Sequence, residues 1–391
     1  MIGKTEANQI TYALRSSIER KELAGGSLLV MKEGKEILYR EDGYADMDRA
    51  LPIRRDSIFR LYSMSKPVTA AAVMILLERG EIDLYEPVSK YLPGFQHQKV
   101  EENGKVVPAK REMIIKDLLS MTSGLSYGGT DLAGQETEEL FRQLGSRLLG
   151  VNPMSTIEAM NLLGQCTLSF HPGDSWQYGT SADVLGAIVE TVSGKRFGEF
   201  LSEEIFLPLG MEDTGFWVPA DNRERLVKTY AEDGKGGLVL YTGNHLGIVH
   251  QMDREPAFES GGAGLASTLD DYAKFAQMLI KGGELNGVRI LRPKTVKYMT
   301  NGTLNIMQQK SFDNWLTLAG HSYGNLLRVM TDSGRAGDFG YPCEYGWDGW
   351  LGAYFCNCPK EDLTILFMMQ KTDAGTNALT RKLRNIILSS I

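Results

Sequence analysis

Cysteine is scarce in this chain of 391 residues. There are four, and three of them (Cys343, Cys356 and Cys358) fall within sixteen positions while Cys166 stands apart. That spacing does not suit a disulfide framework, so free thiols and a reducing, cytoplasmic setting are expected. Proline is also sparse, at 13 residues, and even with 43 glycines the two together stay well below the roughly 25–30% that marks low-complexity chains. Long apolar runs are missing. The longest, residues 68–77, is half of what a bilayer-spanning helix needs, so no membrane partner is expected. Residues 1–25 carry Lys4, Glu6, Arg15, Glu19, Arg20 and Glu22 and lack the apolar stretch of a secretory leader; they read as an amphipathic surface helix. A basic excess is lacking too. Lys and Arg number 42 against 49 Asp and Glu, a net charge of −7, which argues against a nucleic-acid partner because such binding requires a basic surface to displace counterions from phosphates.

What remains is an ordinary globular composition, 42% apolar and 23% charged, in a chain long enough for two or three units of about 150 residues. No internal repeat or linker divides it. Two strand-like runs, Ser27-Leu-Leu-Val-Met31 and Lys35-Glu-Ile-Leu-Tyr39, are joined through Glu33-Gly34. A long helix follows Ser63 and reaches about Arg79. The middle of the chain shows helical periodicity, for example after Thr156 and from Asp183 to Ser193, with Gly194 as its terminating residue. Strand character returns late, in two β-rich runs separated by Pro359-Lys-Glu-Asp362, before a closing helix over about 377–388. The expectation is an α+β protein with one sheet assembled from both ends: residues 1–80 and 240–391 forming an α/β sandwich lobe and residues 81–239 a mostly helical lobe, with a site in the cleft between them.

The sharpest local feature is Ser63-Met-Ser-Lys66. Residues three apart share a helix face, and Pro67 is tolerated only in a first turn, so the helix must begin near Ser63. There the positive end of the helix dipole favours an alkoxide on Ser63 and disfavours a charged Lys66, and a lysine of lowered pKa can serve as a base. Taken alone, Ser63 is equally an N-cap. The second feature is Tyr178, in Phe170-His-Pro-Gly-Asp-Ser-Trp-Gln-Tyr178-Gly-Thr180, just before a helix that Thr180-x-x-Asp183 opens like a capping box. The dipole and a nearby ammonium would favour its phenolate; alone it is one packing tyrosine among 16. The third is Tyr345-Gly-Trp347-Asp348-Gly349-Trp350, a glycine-punctuated strand that suggests close backbone approach by a ligand, or else a kinked edge. One of its N–H groups, with that of Ser63, could form an oxyanion hole.

In this order, Ser63-x-x-Lys66, Tyr178 before a helix and Trp347-Asp-Gly349 on a late strand resemble the three motifs of the serine β-lactamase and penicillin-binding protein superfamily. The chain is most similar to the class C-like branch that includes family VIII carboxylesterases. Ile115-Lys-Asp-Leu-Leu-Ser-Met-Thr-Ser-Gly-Leu125 and Ser260-Gly-Gly-Ala-Gly-Leu-Ala-Ser-Thr268 resemble that family's connecting stretches. The resemblance spans about residue 27 to the end. It implies a β-lactamase/transpeptidase-like fold, an antiparallel sheet flanked by helices with an inserted helical lobe. It further implies Ser63 as the acylated nucleophile, Lys66 and Tyr178 as the proton-transfer pair, and the backbone amides of Ser63 and Trp350 as the oxyanion hole. Trp347, Asp348, Gly349 and Tyr127 would line the substrate site, with no metal and no cofactor.

Two departures shape the expected substrate. Where the family's lactamases carry Lys-Thr-Gly this chain has Trp347-Asp-Gly349, so the cation that would hold a carboxylate is gone and Asp348 would repel one. The usual Tyr-x-Asn is Tyr178-Gly-Thr180. Both changes point from carboxylated amides to small neutral esters. The alternatives are a β-lactamase or D-amino-acid peptidase that uses Arg328 or Arg335 as the cation, and a sensor of the same fold without turnover. Gly124-Leu-Ser126-Tyr-Gly128 spells a nucleophile elbow, but a helix precedes it and a polar loop follows, the wrong context for Ser126. His245 and His250 lack metal-ligand spacing, Cys343 with Cys356-x-Cys358 lacks a second pair for zinc, and Gly234-Lys-Gly236-Gly237 reads as a flexible loop.

Overall fold

A computed structural model describes residues 2–391. Its centre is an eight-stranded antiparallel sheet in the order His321–Gly324, Leu327–Met330, Tyr345–Asp348, Tyr354–Cys358, Leu363–Met369, Gly25–Lys32, Lys35–Asp46, Leu51–Pro52. The first strand of the chain pairs with the last, Leu29 opposite Leu366. Side chains alternate across a strand, and both faces of the paired strands Gly25–Lys32 and Leu363–Met369 are buried, so these two read as apolar runs rather than alternating ones. Leu28, Val30, Ile365 and Phe367 face Ile10 and Leu14 of the helix Lys4–Glu19 and Leu383 and Ile387 of the helix Ala378–Leu388. Leu29, Leu366 and Met368 face the other way, towards Phe275 of the helix Leu269–Ile280 and the helix Ser65–Arg79. Cys356 and Cys358 lie two apart on the first face and pack there as small apolar groups; all four cysteines are free.

The helix Ser65–Arg79 is buried on every side from Ser65 to Leu76, which is why its sequence is apolar without periodicity, and it stops at Gly80 in the left-handed region. It begins two residues after Ser63, which sits in a separate 3-10 turn, Tyr62–Met64. The helices Leu132–Arg147, Thr156–Leu163 and Ser181–Ser193 occupy the middle of the chain. Two small hairpins interrupt it that periodicity does not reveal. Lys99–Glu102 and Lys105–Pro108 turn at Asn103-Gly104, both with positive φ, which is the two-residue hairpin signal. Thr229–Glu232 and Leu238–Tyr241 turn over the glycine run expected to be flexible; there the Asp233 carboxylate accepts the N–H of Lys235 at 2.7 Å and of Gly237 at 2.8 Å. Among the described residues no helix is long and apolar enough to cross a membrane.

Candidate active site

Between Ser57 and Leu76 every residue is buried except Ser63. The chain achieves this with a kink. Tyr62, 1% exposed, holds a positive φ of 46°, a conformation costly for an aromatic residue that persists only where its surroundings enforce it. The turn's hydrogen bonds are made by Met64 and Ser65, which leaves the N–H of Ser63 unspent. Three residues on, Lys66 is fully buried in the first helical turn. Its Nζ lies 3.1 Å from Ser63 Oγ, 2.9 Å from Tyr127 Oη and 2.8 Å from the carbonyl oxygen of Gly262. Burial pushes its pKa down to about 7, against the pull of Asp183 and Asp348.

Tyr178 lies across this group, with Lys66 Nζ 4.7 Å from its ring centre and the ring of Tyr127 5.6 Å away. Its hydroxyl accepts the indole N–H of Trp347 at 3.0 Å. Burial among rings drives its pKa well above the phenolic range, and the hydrogen bonds with Ser63 and Trp347 only partly offset that. The expectation that the helix start favours phenolate is therefore corrected: the helix begins three residues later, at Ser181, and desolvation outweighs its dipole.

The capping box expected at Thr180 does not form. Thr180 is the N-cap, but its hydroxyl is buried with no partner and makes no cap. Asp183 is engaged elsewhere. Its Oδ1 accepts the hydroxyl of Ser260 and the N–H of Gly262 at 3.0 Å, and burial raises its pKa. A Cβ on Gly262 would meet Asp183 Oδ2 at 2.8 Å and Tyr127 Oη at 2.9 Å, so only glycine fits between these two side chains at the residue whose carbonyl oxygen Lys66 meets. Asp183, Ser260 and Gly262 are the supports of Lys66 that the sequence alone did not assign.

The late strand enters from the other side. A Cβ on Gly349 would lie 2.2 Å from the carbonyl oxygen of Leu61, so the close approach that this glycine permits is by the backbone leading into Ser63, and one on Gly346 would lie 2.0 Å from Phe355 O of the neighbouring strand. The reading of these glycines as ligand clearance is corrected accordingly. Gly349 N–H bonds to Ala353 O at 2.7 Å and Gly352 N–H to Gly349 O at 2.8 Å, closing a tight turn that leaves the N–H of Trp350 without a backbone acceptor. The indole of Trp350 is pinned by Asp373 Oδ1 at 2.7 Å and packs on His245 at 4.2 Å and Tyr62 at 4.9 Å. Trp347, 1% exposed, is not an open substrate wall; it is enclosed and directs its N–H at Tyr178. Asp348 accepts the hydroxyl of Thr376. Trp315 replaces Trp347 at the surface: it is 40% exposed and stands edge-on to Tyr178 at 5.4 Å.

The remaining candidates lie elsewhere. Ser126 closes a local turn with Gly128, its hydroxyl 2.7 Å from that carbonyl oxygen and 3.0 Å from that N–H. Arg328 projects from the sheet face opposite Trp347, over the ring of Tyr354, and Arg335 is exposed and paired with Asp313 at 2.9 Å, so neither cation serves this cleft. Burial and the Arg60 charge depress His250 to about 3. Among the described residues no three His, Cys, Asp or Glu side chains cluster as metal ligands. A cavity of about 1100 Å³ lies against the hairpin of residues 99–108 and contains none of these groups.

A sheet built from both ends of the chain, a serine in the turn that leads into a central buried helix, a lysine in that helix's first turn, and a tyrosine facing them define a β-lactamase/transpeptidase-like fold. The Beta-lactamase family model matches residues 13–388, and the chain belongs to that family. It is 32% identical over 367 residues to Protein Rv1367c of Mycobacterium tuberculosis, covering 92% of this chain and 88% of that one. It is 35% identical over 281 residues to Esterase EstB of Burkholderia gladioli, covering 68% of each. Among solved structures, "EstCE1, a hydrolase with promiscuous acyltransferase activity" superposes with a TM-score of 0.84 at 22% identity over 98% of this chain and 99% of that one.

Proposed function

We propose that the protein is a serine hydrolase that cleaves small neutral carboxylic esters through an acyl-enzyme. The observation that carries this reading is the buried amine of Lys66, its pKa lowered to about 7, held 3.1 Å from the one accessible hydroxyl on its segment. As the free amine, Lys66 takes the Ser63 proton while its own N–H groups stay on Gly262 and Tyr127. Ser63 Oγ attacks the ester carbonyl carbon, and the oxyanion is held by the N–H groups of Ser63 and Trp350. The tetrahedral adduct collapses, and the alcohol leaves with a proton from Tyr178, which the Lys66 ammonium replaces. Water then attacks the acyl-enzyme, its proton passing to the Tyr178–Lys66 pair, and Ser63 leaves with a proton. The net reaction is ester plus water to acid plus alcohol, with no metal or cofactor.

Esters rather than carboxylated amides suit the site because Trp347 takes the place of the lysine that would hold a carboxylate, its neighbour Asp348 is acidic, and Arg328 and Arg335 are out of reach. The likeness to Esterase EstB supports the same choice. The test is intact-mass analysis after an organophosphate, with parallel turnover of p-nitrophenyl acetate and a penicillin. Labelling should vanish in Ser63→Ala and persist in Ser126→Ala, and the ester should turn over faster. A label that survives Ser63→Ala refutes the nucleophile; faster penicillin turnover refutes the substrate class; a stoichiometric burst with no steady turnover indicates the sensor.

A further inference from the structure

Trp315 has no role in the chemistry above, yet it touches the group that performs it. The helix Ile306–Phe312 is tied along the segment that leads into Tyr178: Gln308 Nε2 donates to Gly173 O at 2.8 Å, the hydroxyls of Ser311 and Ser175 meet at 2.7 Å, and the buried ring of Phe312 packs edge-on against Trp176 at 4.8 Å. A tight turn follows, with Trp315 N–H on Phe312 O at 3.0 Å and Leu318 N–H on Trp315 O at 2.8 Å, and it delivers the Trp315 indole onto Tyr178 at an interplanar angle of 71°. The same indole lies 6.3 Å from Trp176 and 6.5 Å from Trp347, so one edge is packed on aromatic rings while 40% of the residue stays open. The next residue, Leu316, is 83% exposed. An open tryptophan fixed by both its turn and its packing presents a rigid aromatic surface at low entropic cost.

Its position relative to the reaction says which half of a substrate it meets. The group that protonates the leaving oxygen must stand beside that oxygen. In the proposed mechanism that group is Tyr178, so what packs against Tyr178 at the surface faces the alcohol half of the ester rather than the acyl half. We infer that Trp315 is a specificity-determining residue whose exposed indole binds the alcohol moiety, and that the preferred substrates are esters of aromatic or bulky apolar alcohols. This rests on the ester-hydrolase reading and deepens it.

The experiment compares kcat/KM for benzyl acetate, ethyl acetate and ethyl hexanoate in the wild type, Trp315→Ala and Trp315→Phe. The wild type should prefer benzyl to ethyl acetate. In Trp315→Ala that ratio should fall about tenfold, the scale on which an apolar contact discriminates substrates, while the hexanoate-to-acetate ratio moves less than about twofold; Trp315→Phe should keep most of the benzyl preference. A parallel loss on all three esters would make Trp315 a support of Tyr178 only, and a shift of the acyl-length ratio instead would place the wall on the acyl side. Either result, or no change, overturns the inference while leaving the hydrolase reading intact. A wild type that turns over none of the three overturns both.

Discussion

The hydrogen bond from the Trp347 indole to Tyr178 Oη is a single contact whose removal isolates one step of the proposed mechanism. Trp347→Phe keeps an aromatic ring in the enclosed site and deletes the donor 3.0 Å from the phenol oxygen. That donor favours negative charge on the oxygen, and it already opposes the rise that burial imposes on Tyr178. Without it the phenol holds its proton more tightly. A hydrogen bond to a group that gains charge is worth roughly 1.5–3 kcal/mol, which corresponds to a loss of about 10- to 150-fold in rate. The loss should fall on kcat, with KM for a neutral ester changed less than about twofold, because the contact strengthens only as Tyr178 gives up its proton. Part of a buried ring is lost as well, and at about 0.8 kcal/mol per buried CH2 equivalent the fold should weaken by about 2 kcal/mol. A thermal melt reads that effect separately, so the kinetic effect is measured on folded protein. If kcat stays within twofold of the wild type while the melt shifts as expected, Trp347 is merely packing and Tyr178 does not develop charge in the rate-limiting step.

The pH dependence follows from Lys66. A base that must be neutral is active above its pKa, so kcat/KM should rise with pH through about 7 and fall about tenfold per unit below it; a profile flat from pH 5 to 8 would refute Lys66 as the base. Asp183 raises the Lys66 pKa, so Asp183→Asn should move the midpoint of that profile below about 7, read from kcat/KM against pH, and an upward shift would contradict the field argument. Gly262→Ala places a Cβ 2.8 Å from Asp183 Oδ2 and 2.9 Å from Tyr127 Oη and should cost both activity and melting temperature, whereas Ser126→Ala should leave esterase activity within about twofold. Asp348→Asn should raise kcat/KM for a negatively charged half-ester relative to its neutral methyl ester by several-fold, as expected when a like charge is removed from a site of effective dielectric ~20; an unchanged ratio would show that Asp348 does not select against anions.

What the sequence made legible was what its own spacing determines. Ser63 and Lys66 are three residues apart with Pro67 beside them, so their meeting is a local matter, and it occurs even though Ser63 belongs to a separate 3-10 turn and the helix starts at Ser65. The sheet built from both ends was legible because its central strands are apolar runs at the two ends of the chain. The failures share another origin. Thr180-x-x-Asp183 has the spelling of a capping box, but Ser260 and Gly262, some eighty residues on, claim the carboxylate. Trp347 has the composition of a substrate wall, but the strands on either side and Tyr178 enclose it. Trp315 sits in no periodic pattern at all, and only the tertiary path of its turn gives it a place over Tyr178. Asn103-Gly104 is the exception: its hairpin signal was present in the sequence and masked by the helical neighbourhood.

Burial acts in opposite senses on the two proton carriers, and that opposition assigns their tasks. Desolvation penalises whichever form is charged, so the same dry cleft lowers the lysine to about 7 and raises the tyrosine above its usual range. The resting pair at neutral pH is then an amine, free in a substantial fraction of molecules, beside an intact phenol. Of the two, only the amine can accept the Ser63 proton at modest cost; in the proposed mechanism the phenol then relays a proton to the leaving alkoxide and regains one from the Lys66 ammonium. The helix dipole, which alone would have favoured a phenolate base, is outweighed, and the proposed mechanism therefore uses lysine as base and tyrosine as acid. The Asp183–Ser260–Gly262 support fits this division, because it fixes the lysine through a backbone carbonyl rather than through a carboxylate, which would have held the amine in its charged form.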